Sequence, residues 1–250
     1  MSQLLDKLDR AGDRFVQPLG FGGSSKREDV SPILVLGAIE ADQTDETKKA
    51  NIAKLDGVVI KATDKTTKAA LDKSAKLLSP LMFGVWSATP QSKEIKGIDF
   101  EIFDDSSTTV GSLTANERTF LMTVDLGIDE GLTRAIDLLP VNAFIIQILG
   151  GNELTIDHLL QIGRISTATS KPVFLHLSSI PLDDELRGLR DVGIAALIID
   201  LQDNSIEEFA KLHTSLLALP QKTLDRDQRK VNSSLSNRIS TDPDDEYEED

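Results

Sequence analysis

The amino-acid sequence predicts an α/β fold, a closed (β/α)8 barrel with reduced helices after the third and fourth strands. Three observations carry that expectation. Short apolar runs recur eight times along the 250 residues. Most of these runs lack inside/outside alternation, as expected of strands covered on both faces in a parallel sheet. Between most of them lies a segment with helical spacing, and alternation repeated this often fits a closed barrel. An open doubly wound sheet is the other α/β arrangement. Eight strands in series are many for it, and no Gly-x-Gly-x-x-Gly follows the first strand.

In chain order, residues 1–32 comprise an N-terminal helix and a Gly-rich lead-in, 33–220 the barrel and 221–250 a tail. The first helix runs within 2–15 through Leu4, Leu5, Leu8 and Phe15, an amphipathic stripe suited to closing the barrel floor. Strands are expected at 33–39, 58–61, 81–86, 98–103, 120–124, 143–148, 173–177 and 196–200, all rich in β-branched or large apolar residues. Helices are expected at 44–55, capped by Thr44 with acids in the first turn, and at 64–78, capped by Asp64. The next, 129–139, carries Leu132, Ile136 and Leu139 on one face and stops at Pro140. The last three are 155–169, then 182–192 closed by Gly193, then 205–219 before Pro220. The connections 88–97 and 105–118 are too short or too rich in Ser and Thr for full helices. In the tail, nine acids against five bases and few apolar residues predict a disordered acidic segment.

Composition removes whole classes of function. A net charge of -14 repels phosphate backbones and anionic lipid, so nucleic-acid and membrane-surface binding are not expected. The absence of cysteine excludes disulfides, thiolate nucleophiles, Fe–S clusters and Cys-ligated zinc. The N-terminal residues lack the apolar run of a signal peptide and no stretch is long enough to span a membrane, so a cytoplasmic location is expected.

Barrel enzymes place reacting groups at the carboxyl ends of the strands. A charge ending an apolar strand must face the barrel mouth, because burying it against the helix layer costs several kcal/mol. Lys61, His176 and Asp200 are such residues. Lys61 can serve as a base or Schiff-base former if its ammonium is destabilised, or simply neutralise nearby acids. His176 ends the seventh strand and suits general acid/base chemistry, metal ligation or a hydrogen-bonded core position, while His158 and His213 fall on helices and are expected to face solvent. Asp125 joins Lys61 and His176 as a catalytic candidate. Asp104, Asp125 and Asp200 offer hard oxygen ligands for a divalent cation such as magnesium, although Asp at these places also suits helix caps. Trp86, Gln147 and Ser178 stand where a small-molecule ligand would be lined and oriented.

Glycines that would cradle phosphate after strands seven and eight are missing, since the chain continues Ser178-Ser179-Ile180-Pro181 and Leu201-Gln202-Asp203. Flavin and sugar-phosphate chemistry are therefore disfavoured. Gly150-Gly151 after strand six reads as a tight turn or an anion site, and the cluster around Gly20 to Gly23 as a lead-in loop.

The stretch from Ile33 to Leu219 resembles the aldolase-type (β/α)8 (TIM) barrel superfamily in element order. Segment 172–201, with Asp191-Val192-Gly193-Ile194-Ala195 turning into the last strand, is similar to the strand–helix–Gly–strand pattern of its later units. The resemblance implies architecture, and no catalytic residue is carried over from it. Two functions follow as expectations: a small-molecule enzyme of lyase, aldolase or isomerase type at the barrel mouth, or a catalytically silent barrel used for binding or homo-oligomeric assembly.

Overall fold

The structure is a computed structural model that describes residues 2–13, 31–41, 43–63, 65–88, 97–104, 108–114, 118–148, 150 and 153–220. Its strands are β1 (Leu34–Glu40), β2 (Gly57–Lys61), β3 (Phe83–Trp86), β4 (Phe100–Phe103), β5 (Thr119–Val124), β6 (Ala143–Ile148), β7 (Val173–Leu177) and β8 (Ile194–Asp200). All eight pair in sequence order and in parallel, and β8 pairs back onto β1 to close the barrel.

The helices are α1 (Gln3–Asp13), α2 (Thr44–Ile52), α3 (Lys68–Leu78), α4 (Val110–Thr114), α5 (Glu130–Ile136), α6 (Ile156–Ala168), α7 (Asp183–Asp191) and α8 (Ile206–Ala218). The helix after β4 is reduced as expected, α4 having only 5 residues, while 89–96, most of the connection from β3 to β4, lie outside the described residues. Capping chemistry explains four starts, since Thr67, Asp129, Thr155 and Ser205 each accept a backbone N–H of the turn that follows, whereas Thr44, expected as the cap of α2, is its first helical residue and follows Gln43. The helix after β2 therefore begins at Lys68 rather than 64, and Asp64 lies outside the described residues. Helix α7 ends at the left-handed Gly193 (φ 95°), whose N–H bonds the Arg190 carbonyl. Asp42, Asp105, Gly151, the lead-in glycines Gly20, Gly22 and Gly23, and the acidic tail 221–250 also lie outside the described residues.

Strand alternation sorts the core into two layers. Ile33, Val35, Ile39, Val58 and Ile60 face outward and pack with Leu71, Ile162, Leu186 and Phe209 of the helices. Leu36, Ala38, Val59, Ile102, Leu121, Ile145, Phe174 and Ile198 face inward and fill the barrel. On β3 the inward position is Gly84, and a Cβ there would stand 2.2 Å from the Phe100 ring, so glycine makes room for the aromatic filler.

The inward cluster also takes in Leu4, Leu8 and Ala11 of α1. That helix is fastened to the N-terminal ends of the strands. Asp99, just before β4, accepts from Ser2 Oγ (2.8 Å), Gln3 N (2.7 Å) and Leu4 N (2.9 Å), neutralising the helix N-terminus. Lys7 Nζ donates to the Asp56 carbonyl before β2. The apolar stripe read from Leu4 and Leu8 thus closes the floor at the amino ends of the strands. No helix among the described residues is long and apolar enough to cross a membrane.

Candidate functional site

Continuing the inward-facing rows of β1, β2, β6, β7 and β8 by one strand repeat toward the carboxyl end passes from packing residues to polar ones. Ala38 is followed by Glu40, Val59 by Lys61, Ile145 by Gln147, Phe174 by His176 and Ile198 by Asp200. The top layer of the barrel interior is therefore ionisable. This geometry, which follows from a period of two and a fixed register, is why an apolar strand in this chain can end in a charge.

Asp200 is the centre of the layer. Its Oδ1 lies 2.5 Å from Lys61 Nζ and 3.2 Å from His176 Nε2. Lys61 reaches it across β1, where the residue level with Asp200 is the small Ala38. The His176 side chain is 2% exposed, whereas those of Lys61 and Asp200 are 26% and 22% exposed, so the imidazole is a floor and the ion pair meets solvent. Trp86 stands edge-on to the His176 ring at 5.0 Å between centroids, with Lys61 Nζ 6.0 Å from its own. Burial pushes the Asp200 carboxyl up, but hydrogen bonds from His176 and Lys61 and their positive charge outweigh it and hold the group below the usual aspartate value. It is an anion throughout the neutral range. His176 Nδ1, at the far side of the ring, is buried and has no hydrogen-bond partner among the described residues. An orphaned polar atom of this kind is costly unless water or a ligand meets it.

Two groups that the sequence did not single out belong to the same mouth. Glu46, in the first turn of α2, is buried and accepts from the Glu40 backbone N–H at 3.3 Å. Desolvation raises its pKa, the Glu40 and Asp200 charges raise it further, and the Glu40 N–H and Lys49 only partly compensate. Asn204, 6% exposed, ties the loops after β7 and β8 together. Its Nδ2 donates to the carbonyls of Asp200 (2.7 Å) and Ser178 (3.0 Å), and its Oδ1 accepts from Ile180 N (3.2 Å). Lys49 Nζ adds bonds to the Leu201 and Asn204 carbonyls. Glu46 reads in the sequence as an ordinary first-turn helix acid and Asn204 as one more polar loop residue, so only register and burial reveal them.

The sequence candidates divide cleanly. Lys61, Asp200, His176 and Trp86 come together. Gln147 is the cross-strand partner of His176 and half-buried in the same layer, and Ser178, also half-buried, is held through its carbonyl by Asn204. Asp125 stands apart from them. It is exposed, and its Oδ1 accepts the Gly127 N–H at 2.8 Å to shape the turn into α5. Asp104 accepts from Thr123 Oγ1 at 2.5 Å. The three-carboxylate cation site expected of Asp104, Asp125 and Asp200 is corrected accordingly, since no three His, Asp or Glu among the described residues are grouped to hold a metal ion. His158, expected merely to face solvent, closes the α6 capping box by accepting the Thr155 N–H at 3.2 Å.

No family model and no curated protein matches the chain. Solved structures do. A structural-study target from Aquifex aeolicus VF5 superposes with a TM-score of 0.58 at 10% identity, covering 87% of this chain and 98% of that one. A mutant tryptophan synthase alpha-subunit from Pyrococcus furiosus gives 0.54 at 8% identity, covering 73% and 96%. Thiamine phosphate pyrophosphorylase from the same organism gives 0.53 at 11% identity, covering 74% and 98%. Identities this low carry architecture and nothing finer. Together with the eight-stranded parallel closure, they establish the chain as a (β/α)8 barrel of the TIM type.

Proposed function

We propose that the protein is a small-molecule enzyme of lyase, aldolase or isomerase type, working at the carboxyl-end mouth of the barrel. The observation that carries this reading is the Asp200 carboxylate shared between solvent-facing Lys61 and buried His176. Three ionisable groups at a place where apolar side chains would pack better make a poor stability device, because removing charges from water costs more than most ion pairs return. Barrel enzymes of known chemistry use this end of the fold.

The roles follow from charge. Held against Asp200, the Lys61 ammonium is a fixed cation that polarises a substrate carbonyl and stabilises the enolate that cleavage or isomerisation generates. His176 orients Asp200 from below. Asp200 and Glu46 are carboxyls displaced in opposite directions from their ordinary pKa, the pattern that separates a permanent anion from a proton carrier. Glu46 is the carboxyl suited to carry the proton.

The test is a screen of small hydroxy- and oxo-compounds in D2O, followed by proton NMR for cleavage, isomerisation and loss of the proton next to the carbonyl. Lys61→Met and His176→Gln are expected to abolish conversion while circular dichroism and melting show a folded protein. If both substitutions chiefly unfold the chain, the group is structural and the proposal is lost. A second reading, an assembly module, draws on exposed Val110, Leu132 and Leu138 beside the short helices α4 and α5. Melting that rises with protein concentration and ignores every compound in the screen favours it.

A further inference from the structure

In barrels that take phosphate esters, the anion sits at the loops after strands seven and eight, on free backbone N–H groups at a helix N-terminus. Both places are already filled by this chain's own carboxylates. Before α7, Glu185 Oε2 accepts the Leu182 N–H at 2.7 Å, and its Oε1 accepts the Leu154 N–H at 2.7 Å. Before α8, Glu208 Oε2 accepts the Ser205 N–H at 2.6 Å and its hydroxyl at 2.8 Å. Those bonds hold the Glu208 carboxyl below its usual range, so it stays charged.

The rest of each first turn is acidic as well, with Asp183 and Asp184 in α7 and Glu207 in α8. Exposed Asp203 stands in the loop between β8 and α8. The loop interior, where a phosphate would need room, is occupied by the Asn204 amide bonded to three backbone groups. Helix N-termini favour negative charge, and here that preference is already met several times over.

We infer that the mouth takes an unphosphorylated, uncharged carbonyl compound and refuses phosphate esters. The inference rests on the proposed reaction centre at this mouth and adds the class of its substrate. The positive charge of Lys61 is matched by Asp200, and Lys49 is spent on the Leu201 and Asn204 carbonyls with the acids Glu207 and Glu208 on the helix that follows. What the centre offers instead is a polarising ammonium and the half-buried amide of Gln147. These suit carbonyl and hydroxyl groups.

The experiment is titration of uniformly 15N-labelled full-length protein with inorganic phosphate, then with glycolaldehyde phosphate against glycolaldehyde. The backbone amides of Ile206 and Glu207 and the ring nitrogens of His176 are followed. Phosphate is expected to leave the wild-type amides unmoved. The variant Asp203→Asn/Glu207→Gln/Glu208→Ala frees the Ser205 N–H and hydroxyl and removes three negative charges, while Ser205 still caps the helix by accepting the backbone N–H of residue 208. It is expected to bind phosphate at least about tenfold more tightly. Saturable phosphate binding by the wild type overturns the inference. So does a folded variant that binds phosphate no better. Failure of glycolaldehyde and its neutral relatives to move His176, with phosphate still refused, counts against the reaction centre itself and leaves the anion refusal standing.

Discussion

Replacing Asn204 with Ala tests the loop lock above the reaction centre. The side chain is 6% exposed and makes three hydrogen bonds to backbone, two from its amide nitrogen and one to its oxygen. Deletion strands the carbonyls of Ser178 and Asp200 and the N–H of Ile180. Each buried group left unpaired costs about 1–3 kcal/mol. Ser178 and Ile180 are only half-buried, so water recovers part of their share. The expected loss is about 2–4 kcal/mol, which in a protein of this size lowers the melting temperature by roughly 4–16 °C. The Lys49 bond to the Asn204 carbonyl is a backbone contact and survives. Urea denaturation followed by far-ultraviolet circular dichroism and by Trp86, the single tryptophan, measures the change. Asn204→Asp keeps the acceptor for Ile180 but turns an oxygen toward two carbonyls, and is expected to cost at least as much as Ala. A loss below about 1 kcal/mol for the Ala variant would mean that the loops hold each other without this side chain. Tolerance of Asp would mean that the amide is oriented the other way round.

Two further outcomes are expected. Gly84→Ala drives a methyl to within 2.2 Å of the buried Phe100 ring, and calorimetry is expected to show a loss of about 1–3 kcal/mol, whereas Gly111→Ala, with nothing within 4 Å, should be neutral or slightly stabilising. The Asp200 carboxyl has a folded-state pKa below its unfolded one, so its contribution is complete above the unfolded value of about 4 and is lost as pH falls through the lowered folded value. Asp200→Asn should therefore flatten the decline of urea-denaturation stability below about pH 4, and an unchanged slope would show that the carboxylate is not held by its two partners.

The architecture was legible because barrel strands obey a local rule. Runs such as Phe144-Ile145-Ile146 and Leu197-Ile198-Ile199 are buried on both faces, and that double burial writes itself as unbroken hydrophobicity. Helix starts were legible where the cap is a neighbour of the helix, as at Thr155, Ser205 and Asp129. They were less so at α3, where Asp64 and Thr67 both carry capping side chains and periodicity alone does not choose between them. The inward charges were legible as a group, because an ion at the end of an oily strand has only one direction that keeps it near water.

Which of those ions meet was not legible, and the reason is geometric. Parity places Glu40, Lys61, Gln147, His176 and Asp200 in one layer, yet contact within the layer depends on strand order around the barrel and on the size of what lies between. Asp200 and Lys61 meet over β1 because Ala38 occupies the level of Asp200, while Asp125, one residue beyond its strand, is claimed by the Gly127 N–H before it can turn inward. Asp in a loop satisfies the nearest unpaired backbone donor first, since that bond needs no long-range closure. Asp104 is taken instead by the Thr123 hydroxyl on the adjacent strand. An aspartate at a strand end thus joins this centre only when Lys61 and His176 are the groups that reach it, as they reach Asp200, and not a local N–H, as for Asp125, or a neighbouring hydroxyl, as for Asp104.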